Sequence, residues 1–100
     1  MQLLTPADRD AALGGLPRWR YDALRRAIVT NYVFADFAAA WVLMTRVALL
    51  AERRDHHPQW SNVWNKVEVA MTTHDAGGVT ARDVEFAAAI DAWATESLGR

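Results

Sequence analysis

The segment between Asp36 and Pro58 constrains the fold more than any other part of the sequence. Apolar residues recur there at spacings of three and four, as in a helix with one buried face, and the predicted face is Phe37, Trp41, Met44, Ala48 and Ala51. Asp36 can cap the start of this helix. Pro58 disfavours helical geometry at the residue before it, so the helix must end by His56. The sequence therefore predicts one long helix to about Arg54, followed by an extended connector that carries two adjacent histidines.

Two pairs of strand-like segments flank this helix. Before it, residues 19–21 alternate apolar and polar, and residues 27–34 are rich in β-branched and aromatic side chains after a short turn. After it, residues 60–64 and 67–73 are predicted as two strands joined by a tight link. In the last strand, alternation puts four residues on a single face, namely Val67, Val69, Met71 and Thr73.

Two threonines mark the starts of further helices. Thr5 can accept a hydrogen bond from the amide of Asp8 and is followed by a proline, which favours a short first helix. Thr80 and Asp83 resemble a capping box with Asp in place of Glu, at the start of a last helix. The order α-β-β-α-β-β-α predicts an α+β fold, one domain over residues 1–100. We expect a four-stranded, largely antiparallel sheet with helices packed on one face, and solvent or a second subunit on the other.

Composition excludes several classes of protein. Eleven basic residues against twelve acidic ones give a net charge of -1, without the positive field that non-specific nucleic-acid binding requires. Cysteine is absent, which excludes disulfides and thiolate nucleophiles. The apolar stretch at residues 37–45 is far shorter than the ~20 residues that span a bilayer, and the N-terminus lacks a signal-peptide pattern. We expect a cytoplasmic protein that binds neither nucleic acid nor membrane, and five Trp among 52% apolar residues favour a homo-oligomer.

All three histidines lie in two short segments, His56-His57 and His74. Histidine can give and take protons near neutral pH because of its ordinary pKa. Proton transfer and structural hydrogen bonding remain equal alternatives, whereas a metal site is disfavoured because adjacent residues of an extended segment point in opposite directions. Glu52, in the last helical turn, either pairs with a neighbouring arginine or acts beside His56.

The spacing of these residues resembles that of a known family. The shared pattern consists of Glu52, the run His56-His57-Pro58, Trp64, His74 and Asp83. It is similar to the signature of the pterin-4a-carbinolamine dehydratases, a family also known for a dimerisation-cofactor role in transcription. The resemblance extends over roughly residues 16 to 93.

The resemblance implies a substrate, an assembly and residue roles. The substrate would be a 4a-hydroxytetrahydropterin, dehydrated to the quinonoid dihydropterin in tetrahydrobiopterin recycling, without metal or other cofactor, by a homodimer or homotetramer. By the resemblance, His56 and His74 would transfer protons, and His57 would bind and orient the pterin. Glu52 would hold a histidine in its charged form. The alternative is a non-catalytic binding module of the same fold that stabilises a partner protein's dimer.

Further substrate-binding residues are implied in the same way, namely Pro58, Thr73, Asp75, Ala76, Asp83 and Trp19. Asp83 can either cap the last helix or orient His74, and the cap is the favoured interpretation. Trp19 corresponds to an aromatic residue of the family, although Arg18 precedes it where the family usually has Gly.

Overall fold

Three helices and a four-stranded sheet form in the order predicted from the sequence. The structure, a computed structural model, describes residues 2–98. Its elements are α1 (Pro6–Gly14), β1 (Arg20–Asp22), β2 (Ala27–Val33), α2 (Phe37–Arg54), β3 (Gln59–Val63), β4 (Lys66–Met71), a 3-10 turn (His74–Ala76) and α3 (Ala81–Leu98). The strand order is β1-β2-β4-β3, and all neighbouring strands are antiparallel, which confirms the predicted α+β fold.

None of the helices within residues 2–98 has the length and hydropathy needed to cross a membrane. The cytoplasmic location expected from the sequence stays a prediction.

The starts of the helices agree with the capping residues predicted from the sequence. The side chains of Thr5 and Asp36 each accept a hydrogen bond from the amide three residues later, at 3.1 and 2.8 Å. At α3 the carboxylate of Asp83 accepts from the amide of Thr80 at 2.8 Å. Because these amides have no partner within their helices, each cap removes an unsatisfied donor and fixes where the helix begins.

The helices pack on one face of the sheet, as predicted. The inward side chains of the strands belong to the same buried cluster as the helices, and these are Ile28, Tyr32, Val67, Val69 and Met71. On the opposite face, Ala27, Val29 and Ala70 form a small separate buried cluster. The ion pair between Arg25 and Glu68, at 3.2 Å, brings charge to that side of the strands.

The buried face of α2 differs from the predicted one. The residues that face the core are Ala40, Leu43, Val47, Leu50 and Ala51. Phe37 and Trp41, expected inside, are 48% and 56% exposed, and Ala48 is also exposed. Both faces repeat at three and four residues, so the pattern alone cannot separate them when a helix is apolar around most of its circumference. The prediction was confirmed for Ala51, which is buried, and Met44 packs partly buried against the core. It was wrong for Phe37, Trp41 and Ala48, and α2 consequently presents an apolar surface outward.

A buried tyrosine links β2 to α3. The Tyr32 hydroxyl accepts a hydrogen bond from the indole N–H of Trp19 at 3.0 Å and donates one to the carboxylate of Asp91 at 2.7 Å. Arg18 lies 3.4 Å from the other oxygen of that carboxylate. Burial, and secondarily the hydrogen bond to Asp91, raises the pKa of Tyr32 far above its ordinary value of 10.0. The hydroxyl is therefore a neutral donor throughout the physiological range.

Stability should consequently fall in alkaline solution. Below the unfolded-state pKa both states hold the Tyr32 proton, but above about pH 10 the unfolded state releases it while the folded state does not. The free energy of unfolding, measured by urea titration between about pH 8 and 11, should decline as the pH passes 10, and less so in Tyr32→Phe. Tyr21→Phe should behave like the parent, whereas an equal decline in parent and Tyr32→Phe would contradict the assignment.

Candidate active site

The turn that follows α2 sets the position of the histidine pair. Asp55 ends the helix in the left-handed conformation, with φ 49° and ψ 45°. The guanidinium of Arg82, from α3, donates to the carbonyl oxygens of Arg54 and Asp55 at 2.9 and 3.1 Å. Carbonyls at the end of a helix lack partners within it, so Arg82 satisfies two of them and ties the turn before His56 and His57 to α3.

His56 is buried and anchored. It is 8% exposed, and its Nε2 atom lies 2.6 Å from Oδ1 of Asp83. Its ring packs edge-on against Phe86, with 5.9 Å between the ring centroids. A carboxylate only accepts hydrogen bonds, so the Nε2 atom of His56 carries the hydrogen. One of its two ring nitrogens is thus committed to the fold.

The carboxylate of Asp83 joins the segments that surround the site. It is fully buried, and while Oδ1 contacts His56, Oδ2 accepts from the Thr80 amide and the Thr73 hydroxyl, each at 2.8 Å. The favoured interpretation from the sequence, a helix cap, agrees with this geometry. The alternative was that Asp83 orients His74, but the histidine that it holds is His56.

His57 and His74 lie at the surface, each with one ring nitrogen engaged. The Nε2 atom of His57 lies 3.1 Å from Oε1 of Glu52, so this carboxylate pairs with His57 and not with His56 or a neighbouring arginine. The Nε2 atom of His74 lies 3.2 Å from the side-chain nitrogen of Gln59. An amide nitrogen only donates, so this histidine nitrogen is an acceptor without a proton.

A cavity of about 380 Å³ lies between these groups. Its volume is within the range of roughly 300–1,000 Å³ that is usual for small-molecule sites. The predicted residues that line it are His56, His57, Pro58, Thr73, His74 and Asp75. Sequence reasoning missed four further residues that line it, and these are Asp55, Gln59, Thr72 and Arg82. The extended backbone after Pro58 would have allowed Gln59 to be considered, but no motif marked it.

The other predicted site residues do not line this cavity. Glu52 is hydrogen-bonded to His57 and Asp83 to His56, both of which line the cavity. Ala76 lies in the adjoining 3-10 turn. Trp19 is 4% exposed and its indole is bonded to Tyr32 in the core, so the expected pterin contact is not available to it.

In the part of the chain from residue 2 to residue 98, no three His, Asp or Glu side chains are grouped so as to hold a metal ion.

Comparison with known proteins identifies the family of the chain. The family model described as pterin 4 alpha carbinolamine dehydratase matches residues 2–93. The chain belongs to this family. A protein of Rhizorhabdus wittichii, provisionally named pterin-4-alpha-carbinolamine dehydratase, is 57% identical over 91 residues, which cover 91% of this chain and 94% of that protein. A relative from Rhodopseudomonas palustris with the same provisional name is 55% identical over 93 residues, covering 93% and 92% of the two chains.

A solved structure has the same fold. The crystal structure of a transcriptional coactivator/pterin dehydratase from Brucella melitensis superposes with a TM-score of 0.90 at 39% sequence identity. The match covers 93% of this chain and 99% of that one. The pterin dehydratase family fold therefore extends over nearly the whole chain.

The buried carboxylate should dominate the stability of this region. Asp83→Ala would leave the imidazole of His56 and the hydroxyl of Thr73 without their shared partner, so we expect a loss of about 3 kcal/mol in the free energy of unfolding. Asp75→Ala, at an exposed position, should change it by less than about 0.5 kcal/mol. Urea titrations of both variants would test this, and similar small losses in the two would contradict the role given to Asp83.

Proposed function

We propose that this chain dehydrates a 4a-hydroxytetrahydropterin to the quinonoid dihydropterin and water, as part of tetrahydrobiopterin recycling. The observation that carries the proposal is the pair of surface imidazoles, His57 and His74, at one cavity in a member of the pterin dehydratase family. Loss of water from the carbinolamine requires one proton to be delivered and one to be withdrawn. Imidazoles are suited to both transfers near neutral pH.

The hydrogen bonds of the two histidines suggest how the transfers are divided. His57 is the hydrogen-bond donor, through its Nε2 atom, to the carboxylate of Glu52. We assign His57 to deliver a proton to the departing C4a hydroxyl. His74 accepts from Gln59, and we assign it to withdraw a proton from the ring nitrogen as the C4a–O bond breaks and the C=N bond forms. One proton enters the leaving water and one leaves the ring, so the reaction is balanced.

This division differs from the roles implied by the resemblance, which gave proton transfer to His56 and pterin binding to His57. The buried His56 has one nitrogen held by Asp83, which suits a histidine that positions the connector and contacts the ligand with its remaining edge. The carboxylate of Asp75 can accept hydrogen bonds from the amino group and N3–H of a pterin. Pro58 and Thr73, which line the cavity, and Ala76, in the adjoining 3-10 turn, complete the proposed binding surface.

Removing either surface histidine should slow catalysis strongly. His57→Ala and His74→Ala should each lower kcat by about 10²- to 10⁴-fold, the usual contribution of a general acid or base. Ultraviolet detection of dihydropterin formation from the carbinolamine measures this directly. The parent should show a bell-shaped dependence of rate on pH, since one imidazole must be charged and the other neutral.

Arg20→Ala provides the control for these variants, because Arg20 is exposed on β1 and does not line the cavity. It should keep the parent rate. If the parent gives no acceleration over buffer, the dehydratase proposal fails. If His57→Ala and His74→Ala both retain the parent rate and pH profile, the assignment of proton transfer to these residues fails.

A second candidate function is suggested by the name of the Brucella melitensis structure, which includes a transcriptional coactivator. In that case the chain would act as a non-catalytic module that stabilises a partner protein's dimer. The outward apolar side chains of α2 would suit such a contact. An inactive parent that still binds pterin would favour this function over dehydration.

We also propose that the chain forms a homodimer through the outward face of α2. The exposed residues Phe37, Trp41, Val42 and Leu49 are between 48% and 60% accessible on this one helix. Two copies of the same helix packed about a two-fold axis would cover this surface on both subunits at once.

Changing the centre of that surface should separate the subunits. Trp41→Glu would put a charge into the proposed contact, so light scattering after gel filtration should give the mass of a monomer for this variant and of an oligomer for the parent. Arg20→Glu should stay oligomeric. A monomeric parent would contradict the proposed assembly.

A further inference from the structure

The three histidines differ in the chemistry of their side-chain partners. His56 and His57 are each bonded through Nε2 to a carboxylate, at 2.6 and 3.1 Å. His74 is bonded through Nε2 to the amide nitrogen of Gln59, at 3.2 Å. An ionised carboxylate only accepts and therefore requires a hydrogen on Nε2, whereas an amide N–H requires a lone pair there. His74 thus has the opposite arrangement of hydrogens from the other two histidines.

The fold fixes the backbone of His74 but leaves its ring to Gln59. The amides of Ala76 and Gly77 donate to the carbonyl oxygen of Thr73 at 3.1 and 3.0 Å, which closes the 3-10 turn that carries His74. The ring is exposed, and within residues 2–98 its bond to Gln59 is the only hydrogen bond that it makes. Gln59 is the first residue of β3, so the sheet positions this partner.

A hydrogen bond to one nitrogen of a neutral imidazole decides which nitrogen carries the hydrogen. Since the amide N–H of Gln59 occupies the lone pair on Nε2 of His74, the hydrogen of the neutral ring lies on Nδ1. Nε2 is then the atom that can take a proton. An amide can also present its carbonyl oxygen after a half-turn of the group, so the same side chain can accept from Nε2–H once a proton has arrived.

We propose that Gln59 is a positioning residue that holds His74 as the Nδ1–H tautomer, with the Nε2 lone pair directed to take the proton of the substrate. The inference rests on the proposed function, in which His74 withdraws a proton from the pterin ring. Both residues line the same cavity, so a ring N–H of the ligand can replace the amide N–H at Nε2. The proton passes from the ring nitrogen to Nε2, and no covalent bond to Gln59 is made or broken.

Nitrogen NMR of the ligand-free protein with isotope-labelled histidine tests the tautomer without any pterin. At about pH 9, well above the ordinary pKa of histidine, the parent should show Nδ1–H for His74 and Nε2–H for His56 and His57. Gln59→Leu cannot donate and should show a mixture of both tautomers for His74. The signals missing from His74→Ala identify those of His74. Nε2–H on His74 in the parent, or an unchanged Nδ1–H tautomer in Gln59→Leu, would overturn the proposal.

The dependence of rate on pH tests whether this partner matters for catalysis. Gln59→Glu replaces the amide by a carboxylate, which favours a proton on the adjacent imidazole. The acidic midpoint of the bell-shaped rate profile should therefore rise by about one pH unit, and the alkaline midpoint should move less. A purely structural role of Gln59 would lower the rate at every pH without moving the midpoint.

Val63→Glu is the matched control, because it adds the same charge on the same strand and face, four residues beyond Gln59. Val63 is 71% exposed, is paired with Lys66 on β4 and does not line the cavity. The profile of this variant should match that of the parent.

Other charged groups surround His74 but are the same in the parent and in both Glu variants. They line its cavity and an adjoining groove, and besides the other two histidines they are Asp55, Asp75, Arg82, Arg25 and Arg26. A difference between the profiles of Gln59→Glu and Val63→Glu is therefore due to the position of the added charge.

An acidic midpoint in Gln59→Glu equal to that of the parent would overturn the role of Gln59. Absence of dehydration by the parent would overturn the proposed function, and the NMR spectra would then decide the tautomer of His74 by themselves.

Discussion

The buried carboxylate of Asp83 is the interaction on which the site depends. It caps α3 through the amide of Thr80, accepts from the hydroxyl of Thr73 beside the last strand, and holds the imidazole of His56. The connector after α2, the end of the last strand and the start of α3 are thereby joined at one fully buried group. Because an unpartnered charge inside a protein is strongly destabilising, these segments must stay together for the carboxylate to remain satisfied. The cavity is formed where they meet.

The hydrogen bond to Asp83 makes His56 differ from the other two histidines, which lie at the surface. His56 faces inward, and its neighbour His57 reaches the surface because successive side chains of an extended segment point to opposite sides. Arg82 secures the turn before them by satisfying carbonyls at the end of α2. His74 comes from the opposite wall, in the 3-10 turn after β4. Adjacent histidines can therefore have separate duties, one in positioning and one proposed for chemistry.

Local signals in the sequence were sufficient to predict the order of the elements. They could not predict which residues far apart in the chain pack together. Asp36 caps its helix as predicted because a cap is decided within four residues. The face of α2 was wrong for Trp41 because Trp41 and Leu43 are both apolar and lie on opposite sides of the helix, and only the position of the sheet decides which one is buried. The contact from Asp83 to His56 spans 27 residues, and that from Gln59 to His74 spans 15, so spacing along the chain could not indicate either. The histidines and Glu52 were candidates because of their chemistry, but their roles and the further site residues came from the family resemblance. That resemblance also named Trp19, whose indole is bonded in the core.

A crystal structure with a bound oxidised pterin would test most directly whether the surface imidazoles, and not the buried one, face the reacting ring. The account predicts a bicyclic ring in the cavity, with ring nitrogens of His57 and His74 within about 3.2 Å of ligand atoms on opposite sides of it and His56 still bonded to Asp83. A pterin bound outside this cavity would contradict it. So would a complex in which His56 leaves Asp83 to become the imidazole nearest to C4a.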